Sequence, residues 1–167
     1  MKKWELAQLN IATLIAPLDS PTLADFVAEL DRINGLADQS PGFVWRLQSD
    51  DGNATDLEHD FGSEVIANTS VWETVEHLHT YVYRTAHVEI MSRRKEWFTM
   101  MKEAYTALWW IPEGHRPTFY EAKVKLDLLK ARGSTPDAFT FKKAFPNPSE
   151  IEQRDPQEFD DQCPAFY

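Results

Sequence analysis

Trp4-Glu5-Leu6-Ala7-Gln8-Leu9-Asn10-Ile11-Ala12 is the stretch on which the fold turns. Alternation puts Trp4, Leu6, Gln8 and Asn10 on one side of a strand and Glu5, Ala7, Leu9 and Ile11 on the other. Both sides carry apolar residues, so both should be partly buried. Ser20-Pro21 then supplies an N-cap and a proline in the first helical turn, and Leu23, Phe26, Val27, Leu30 and Ile33 follow at helical spacing until Asn34-Gly35. A strand followed by a helix is therefore the opening unit.

Working outward, Ser40-Pro41-Gly42 reads as a turn and Phe43 to Gln48 as a second strand. An acidic loop spans 49–63. Glu64 to Val71 reads as a third strand, and Ser70-x-x-Glu73 has the form of a capping box ahead of a second helix with Val75, Leu78, Val82 and Ala86 on its apolar side. A further helical stretch carries His87, Ile90, Met91, Arg94, Trp97, Phe98 and Met101 along one side, with a break expected near Arg84-Thr85. Tyr105 to Ile111 is a fourth strand, closed by Pro112-Glu113-Gly114. Thr118-x-x-Glu121 caps a last helix with Phe119, Ala122, Leu126 and Leu129 on one side and Gly133 past its end, and 138–141 is a candidate edge strand. The order is βαββαβ with a C-terminal helix extension, an α+β, ferredoxin-like arrangement. Such a sheet has helices on one face. Trp45, Trp109 and Trp110 cannot all point toward them, so the other face is expected to pack on a second copy as a homodimer.

The chain has 167 residues, which suits one domain, assigned to 1–146 with an acidic tail over 147–167. Formal net charge is −10; the tail's six acids against Arg154 leave it −5 of that total. An acidic chain lacks the basic surface that a phosphate backbone requires, so no nucleic-acid partner is expected. The single cysteine, Cys163, permits no intrachain disulfide, no apolar leader or membrane-length window is present, and a cytoplasmic location with no membrane partner is expected. The sequons at Asn53 and Asn68 are read as unmodified.

Tyr83-Arg84-Thr85-Ala86-His87-Val88-Glu89, Arg94-x-x-Trp97-Phe98 and Leu108-Trp109-Trp110-Ile111-Pro112-x-Gly114-His115-x-Pro117-Thr118 together resemble the bacterial domain-of-unknown-function family 3291. Leu6 to Asn10, Pro41 to Arg46 and Ala138 to Phe141 extend the resemblance over roughly residues 4 to 145. It implies the dimeric α/β barrel superfamily, which includes cofactor-free antibiotic-biosynthesis monooxygenases and haem-binding oxygenases, and it brings no assigned reaction. In haem-degrading members of that superfamily an Asn stands on the first strand and an axial His on the second helix, within Phe-x-x-Ala-His. Asn10 and the Tyr83 to His87 segment are similar to these. The helix Trp of those members has no counterpart, since Trp72 precedes the helix. Haem is thus the cofactor that the resemblance leaves open, with His87 as its ligand.

His87 on an apolar helical side suits a haem ligand, a base in a dry pocket or a core histidine bonded to backbone. Arg94, seven residues on, would sit at nearly the same azimuth of an unbroken helix and suits a carboxylate or propionate, or a structural ion pair. His115, ahead of a capped helix, is a ligand contact or a turn-fixing residue. Trp45, Trp97, Trp109 and Trp110 either clamp a flat hydrophobic or aromatic ligand or form core. Metal ligation is not expected: His77-x-His79 splays its rings, and Glu76-x-x-His79 is a single copy of a motif that di-iron bundles use twice. Two functions stay open. One is an oxygenase-like enzyme, a monooxygenase-like oxidoreductase with or without haem, using Asn10, His87 and Arg94; the other is a non-catalytic module for a hydrophobic ligand, or a structural dimer.

Overall fold

The computed structural model describes residues 3–55 and 57–150. Four strands, β1 (Trp4–Thr13), β2 (Phe43–Arg46), β3 (Val65–Trp72) and β4 (Thr106–Pro112), form one antiparallel sheet in the order β2-β3-β1-β4. The helices are α1 (Ala24–Asp38), α2 (Val75–Arg84), α3 (His87–Ser92) and α4 (Phe119–Arg132). The βαββαβ order and the C-terminal helix agree with the sequence reading. No described helix is long and apolar enough to cross a membrane.

Period-two alternation divides the core between the two sides of the sheet. Leu6 and Ala12 of β1, with Trp72, Ile66 and Leu108 from its neighbours, meet α1, α2 and α3 through Phe26, Ile33, Leu78, Val82, Ile90 and Met91. Ala7, Leu9 and Ile11, with Ala67, Val71 and Trp109, meet Phe119, Ala122, Leu126 and Leu129 of α4. The side expected to stay open is therefore covered within the chain. Leu57 and Phe61 of the 49–63 loop pack into that same layer. Neighbouring residues of one strand necessarily point to opposite sides, so Trp109 lies under α4 while Trp110 packs with Leu6 and Trp72 on the α2 side.

Several boundaries differ from the sequence reading for local physical reasons. α1 runs past Asn34-Gly35 to Asp38 because Ile33 and Ala37 on either side of that pair are buried, and this packing outweighs the poor helix propensity of Asn-Gly. The cap of α2 is Thr74, whose Oγ1 accepts from His77 N at 3.2 Å; Ser70 lies inside β3. Thr85 is extended and separates α2 from α3. The helical stretch expected through Met101 instead stops at a 3-10 turn, Arg94–Glu96. Beyond it the chain pairs with the end of β1, through Ile15 N to Trp97 O at 3.0 Å and Thr99 N to Thr13 O at 2.9 Å. The 138–141 segment makes isolated bridges rather than a strand, among them Leu108 and Phe139 exchanging two hydrogen bonds of 2.8 Å. The tail beyond 150, with Cys163, lies outside the described residues.

Candidate functional site

The register of β1 with β3 pairs Gln8 with Ser70 and Asn10 with Asn68, and β4 adds Thr106 beside Asn10. All of these face α1, α2 and α3. A polar belt thus crosses the middle of a layer that is otherwise apolar. Gln8 is 5% exposed and Asn10 1%. Burial of an amide costs free energy unless it is hydrogen-bonded; Gln8, Asn68, Ser70 and Trp72 bond to one another, while Thr106 Oγ1 is buried without a hydrogen-bond partner among the described residues. Gln8 Nε2 donates to Asn68 Oδ1 at 2.9 Å and to Ser70 Oγ at 3.0 Å, and Trp72 Nε1 donates to the same Ser70 Oγ at 2.8 Å. With both lone pairs taken, the Ser70 hydroxyl has only its proton left to offer.

His87 closes the belt from the helical side, and the end of α2 explains its position. The last carbonyls of a helix lack partners within it. Thr85 Oγ1 donates to Tyr81 O at 2.6 Å, and His87 Nδ1 lies 3.2 Å from Val82 O. A carbonyl only accepts, so that contact assigns the proton to Nδ1 and makes Nε2 the acceptor of the neutral ring. His87 is 1% exposed and its ring is 4.9 Å from that of Tyr81, which stacks on Trp72 at 5.1 Å. Burial pushes the Tyr81 phenol far above its ordinary value, so it stays neutral.

These groups line a cavity of about 30 Å³ between sheet and helices, with Gln8, Asn10, Asn68, Ser70, Tyr81 and His87 in its wall. That is room for one or two water molecules. Arg46 also lines it, with Nε and Nη2 on the two oxygens of Asp38 at 2.8 and 3.2 Å and Nη1 on Gly52 O at 2.6 Å. Its charge is therefore spoken for. The His87 ring is packed against Tyr81, and the cavity would have to open for any ligand larger than water, for a haem most of all.

Of the residues singled out from the sequence, the fold brings Asn10 and His87 to one cavity and sends the others elsewhere. Arg94 sits on the 3-10 turn, where Nη1 caps Met91 O at 3.1 Å, and it lines no described cavity. The register with His87 fails because α3 ends at Ser92. Trp97 is core, 5.5 Å from Phe26, with the Arg93 guanidinium 4.7 Å above its ring. Trp110 Nε1 donates to Phe145 O at 2.8 Å. Trp45, Trp109 and His115 are on the α4 side: Glu121 accepts from Trp109 Nε1 at 2.9 Å and holds His115 Nε2 at 2.6 Å, and Arg116 lies 5.8 Å from the Trp45 ring. The four tryptophans thus form no clamp, because strand alternation and the helix break separate them. Among the described residues no group of three His, Cys, Asp or Glu is arranged to hold a metal ion. Gln8, Asn68 and Ser70 were missed in the sequence, although Gln8 shares a strand side with Leu6 and Asn10.

The model of the family described as "Domain of unknown function (DUF3291)" matches residues 5–155. No curated protein matches the chain. Among solved structures, SnoaB, a cofactor-independent oxygenase from Streptomyces nogalater, is similar with 15% identity and a TM-score of 0.44, over 68% of this chain and 95% of that one. The NE2512 protein of unknown function from Nitrosomonas europaea is similar with 12% identity and a TM-score of 0.43, over 71% of this chain and 97% of that one.

Proposed function

This chain belongs to the DUF3291 family of domains of unknown function, and from the chemistry of its polar belt we propose that it binds a small, largely apolar molecule between the sheet and α1 to α3 and oxidises it without a bound cofactor. The observation that carries this reading is the set of neutral hydrogen-bonding side chains Gln8, Asn10 and Ser70, buried with His87 and beside the half-buried Asn68 around a cavity. Burying these groups costs free energy that their mutual hydrogen bonds largely offset, whereas apolar groups in the same layer would stabilise it outright.

The chemistry needs a substrate that supplies its own electrons. His87 Nε2 takes a proton from an activated ring CH2, a step worth about 10²–10⁴ in rate. The amide groups of Asn10 and Asn68 stabilise the anion that results. The anion reduces O2 directly, so that CH2 and O2 become a ketone and water. An oxygen electrode with electron-rich bicyclic ketones and phenols tests this: wild type should consume one O2 per ketone formed, and His87→Ala should lower kcat by about 100-fold or more. Binding without oxygen uptake would assign a carrier function, and absence of binding would remove both.

Association of two copies, expected from the open sheet side, has to use another surface once α4 covers that side. The outward stripe of α4 is available, with Tyr120 77% exposed and Val124 one turn on. Sedimentation of wild type as a monomer at micromolar concentration would remove the homodimer, and Tyr120→Glu should dissociate it if it forms there.

A further inference from the structure

A far larger cavity than the chamber lies away from the polar belt, beyond the end of β1 and beside the start of β3. It is a groove of about 890 Å³, open to solvent, between the 14–18 turn and the 55–64 loop. Small-molecule sites have volumes of about 300–1,000 Å³, so the groove is of that size. Backbone hydrogen bonds fix its walls: Leu14 N donates to Glu64 O at 2.8 Å, Ser20 N to Pro17 O at 2.9 Å and Val65 N to Gly62 O at 3.2 Å. The space therefore exists without any rearrangement of the core.

The lining divides by depth. Leu14, Leu18, Leu57 and Val65 are half-buried over the buried Ile66, and Ile15 adds an apolar side chain that is 46% exposed. The exposed rim carries Glu58, Asp60 and Glu64, and among the described residues no Lys or Arg lines the groove. Lys123, bonded to Asp127 at 2.8 Å, also feels Asp60, so Glu58 and Glu64 are the carboxylates in no ion pair among the described residues. His59, whose ring packs on Phe61 and Phe119, is the remaining titratable group of the lining. An acidic rim repels a carboxylate and attracts a cation, while the floor below it favours an apolar body. The chain's own end does not match, since residues 151–167 hold five acids against Arg154, and a second copy brings a net charge of −10. We propose that the groove is a separate binding site for a small organic cation, with an ammonium group against Glu58 and Glu64 and an aromatic or aliphatic body on Leu14, Leu57 and Val65. It stands apart from the chamber, and nothing in it requires His87.

The probes are 1-naphthylmethylammonium, 1-naphthalenemethanol and 1-naphthoate, which share one ring system and differ in charge. Binding to the full chain is measured by equilibrium dialysis at about pH 8, where an ordinary histidine is neutral, and mapped by amide chemical shifts. The ammonium should bind about three- to tenfold more tightly than the alcohol, and the naphthoate most weakly; the preference is modest because exposed charges are screened. Shifts should concentrate at 14–18 and 57–65. Glu58→Gln with Glu64→Gln, both at exposed positions, should bring the ammonium to the alcohol's affinity, and Ile15→Ser should weaken both ligands alike by about threefold. Equal binding of the three probes, ammonium binding that the double substitution leaves unchanged, or no shifts in the groove at millimolar ligand overturns the proposal. Shifts of residues 151–167 on adding the ammonium would assign the groove to the chain's own end, and an affinity that falls as protein concentration rises would assign it to a second copy; either result overturns the small cation as occupant.

Discussion

Replacing Ser70 by Ala removes one oxygen and creates almost no cavity, so its cost isolates the hydrogen bonding of the belt. Ser70 Oγ accepts from Trp72 Nε1 at 2.8 Å and from Gln8 Nε2 at 3.0 Å. Trp72 is 1% exposed, so its indole N–H would be left buried and unpaired, at about 1–3 kcal/mol. Gln8 keeps its bond to Asn68, so its share is nearer 1 kcal/mol. The expected loss is about 2–4 kcal/mol, a fall of roughly 1–2 M in the urea midpoint followed by tryptophan fluorescence. The adjacent residue supplies the control. Thr69 faces α4, and its Oγ1 is buried without a hydrogen-bond partner among the described residues. Thr69→Val keeps the shape and removes the orphan hydroxyl, so it should be neutral or stabilise by up to about 1 kcal/mol. Neighbouring substitutions on one strand should therefore differ in sign. A loss below about 0.5 kcal/mol for Ser70→Ala would mean that water already satisfies Trp72, and the belt would not be the self-bonded network described.

Gly42→Ala should cost about 2–3 kcal/mol or more, because φ there is 76° and a Cβ would fall 2.0 Å from His77 Nδ1 and 2.6 Å from its Cβ; calorimetry showing a change below 1 kcal/mol would contradict this. Gly35→Ala should raise stability by about 0.5–1 kcal/mol, because it lies inside α1 where a Cβ meets nothing within 4 Å, and a loss of stability in calorimetry would contradict this. Glu96, hydrogen-bonded by Arg93, titrates below its ordinary value, so the stability it adds is present above the ordinary carboxylate range and is lost as pH falls through its lowered value. The Tm difference between wild type and Glu96→Gln should shrink on acidification, and a difference constant with pH would remove that pair from the acid response.

The order of elements was legible in the sequence because each depends on neighbours along the chain. The alternation of Leu6, Gln8 and Asn10 defines the sides of β1 wherever that strand lies, and Thr118-x-x-Glu121 and Gly133 bound α4 by local hydrogen bonding. His87 stood out because an imidazole on an apolar helical side is unusual, and that too is local. What the chain could not disclose is which distant residues meet. Gln8 and Ser70 are 62 positions apart, and only strand register turns Gln8 and Asn10 of one strand and Asn68 and Ser70 of another into a belt. The break at Thr85 was anticipated, but the stop at Ser92 follows from Trp97 and Phe98 burying against Phe26 while their backbone pairs with the end of β1, and it carried Arg94 away from His87. The side of the sheet that α4 covers was likewise a tertiary choice. Its apolar stripe needed a partner surface, and helical spacing specifies that need without specifying whether the surface belongs to the same chain or to another.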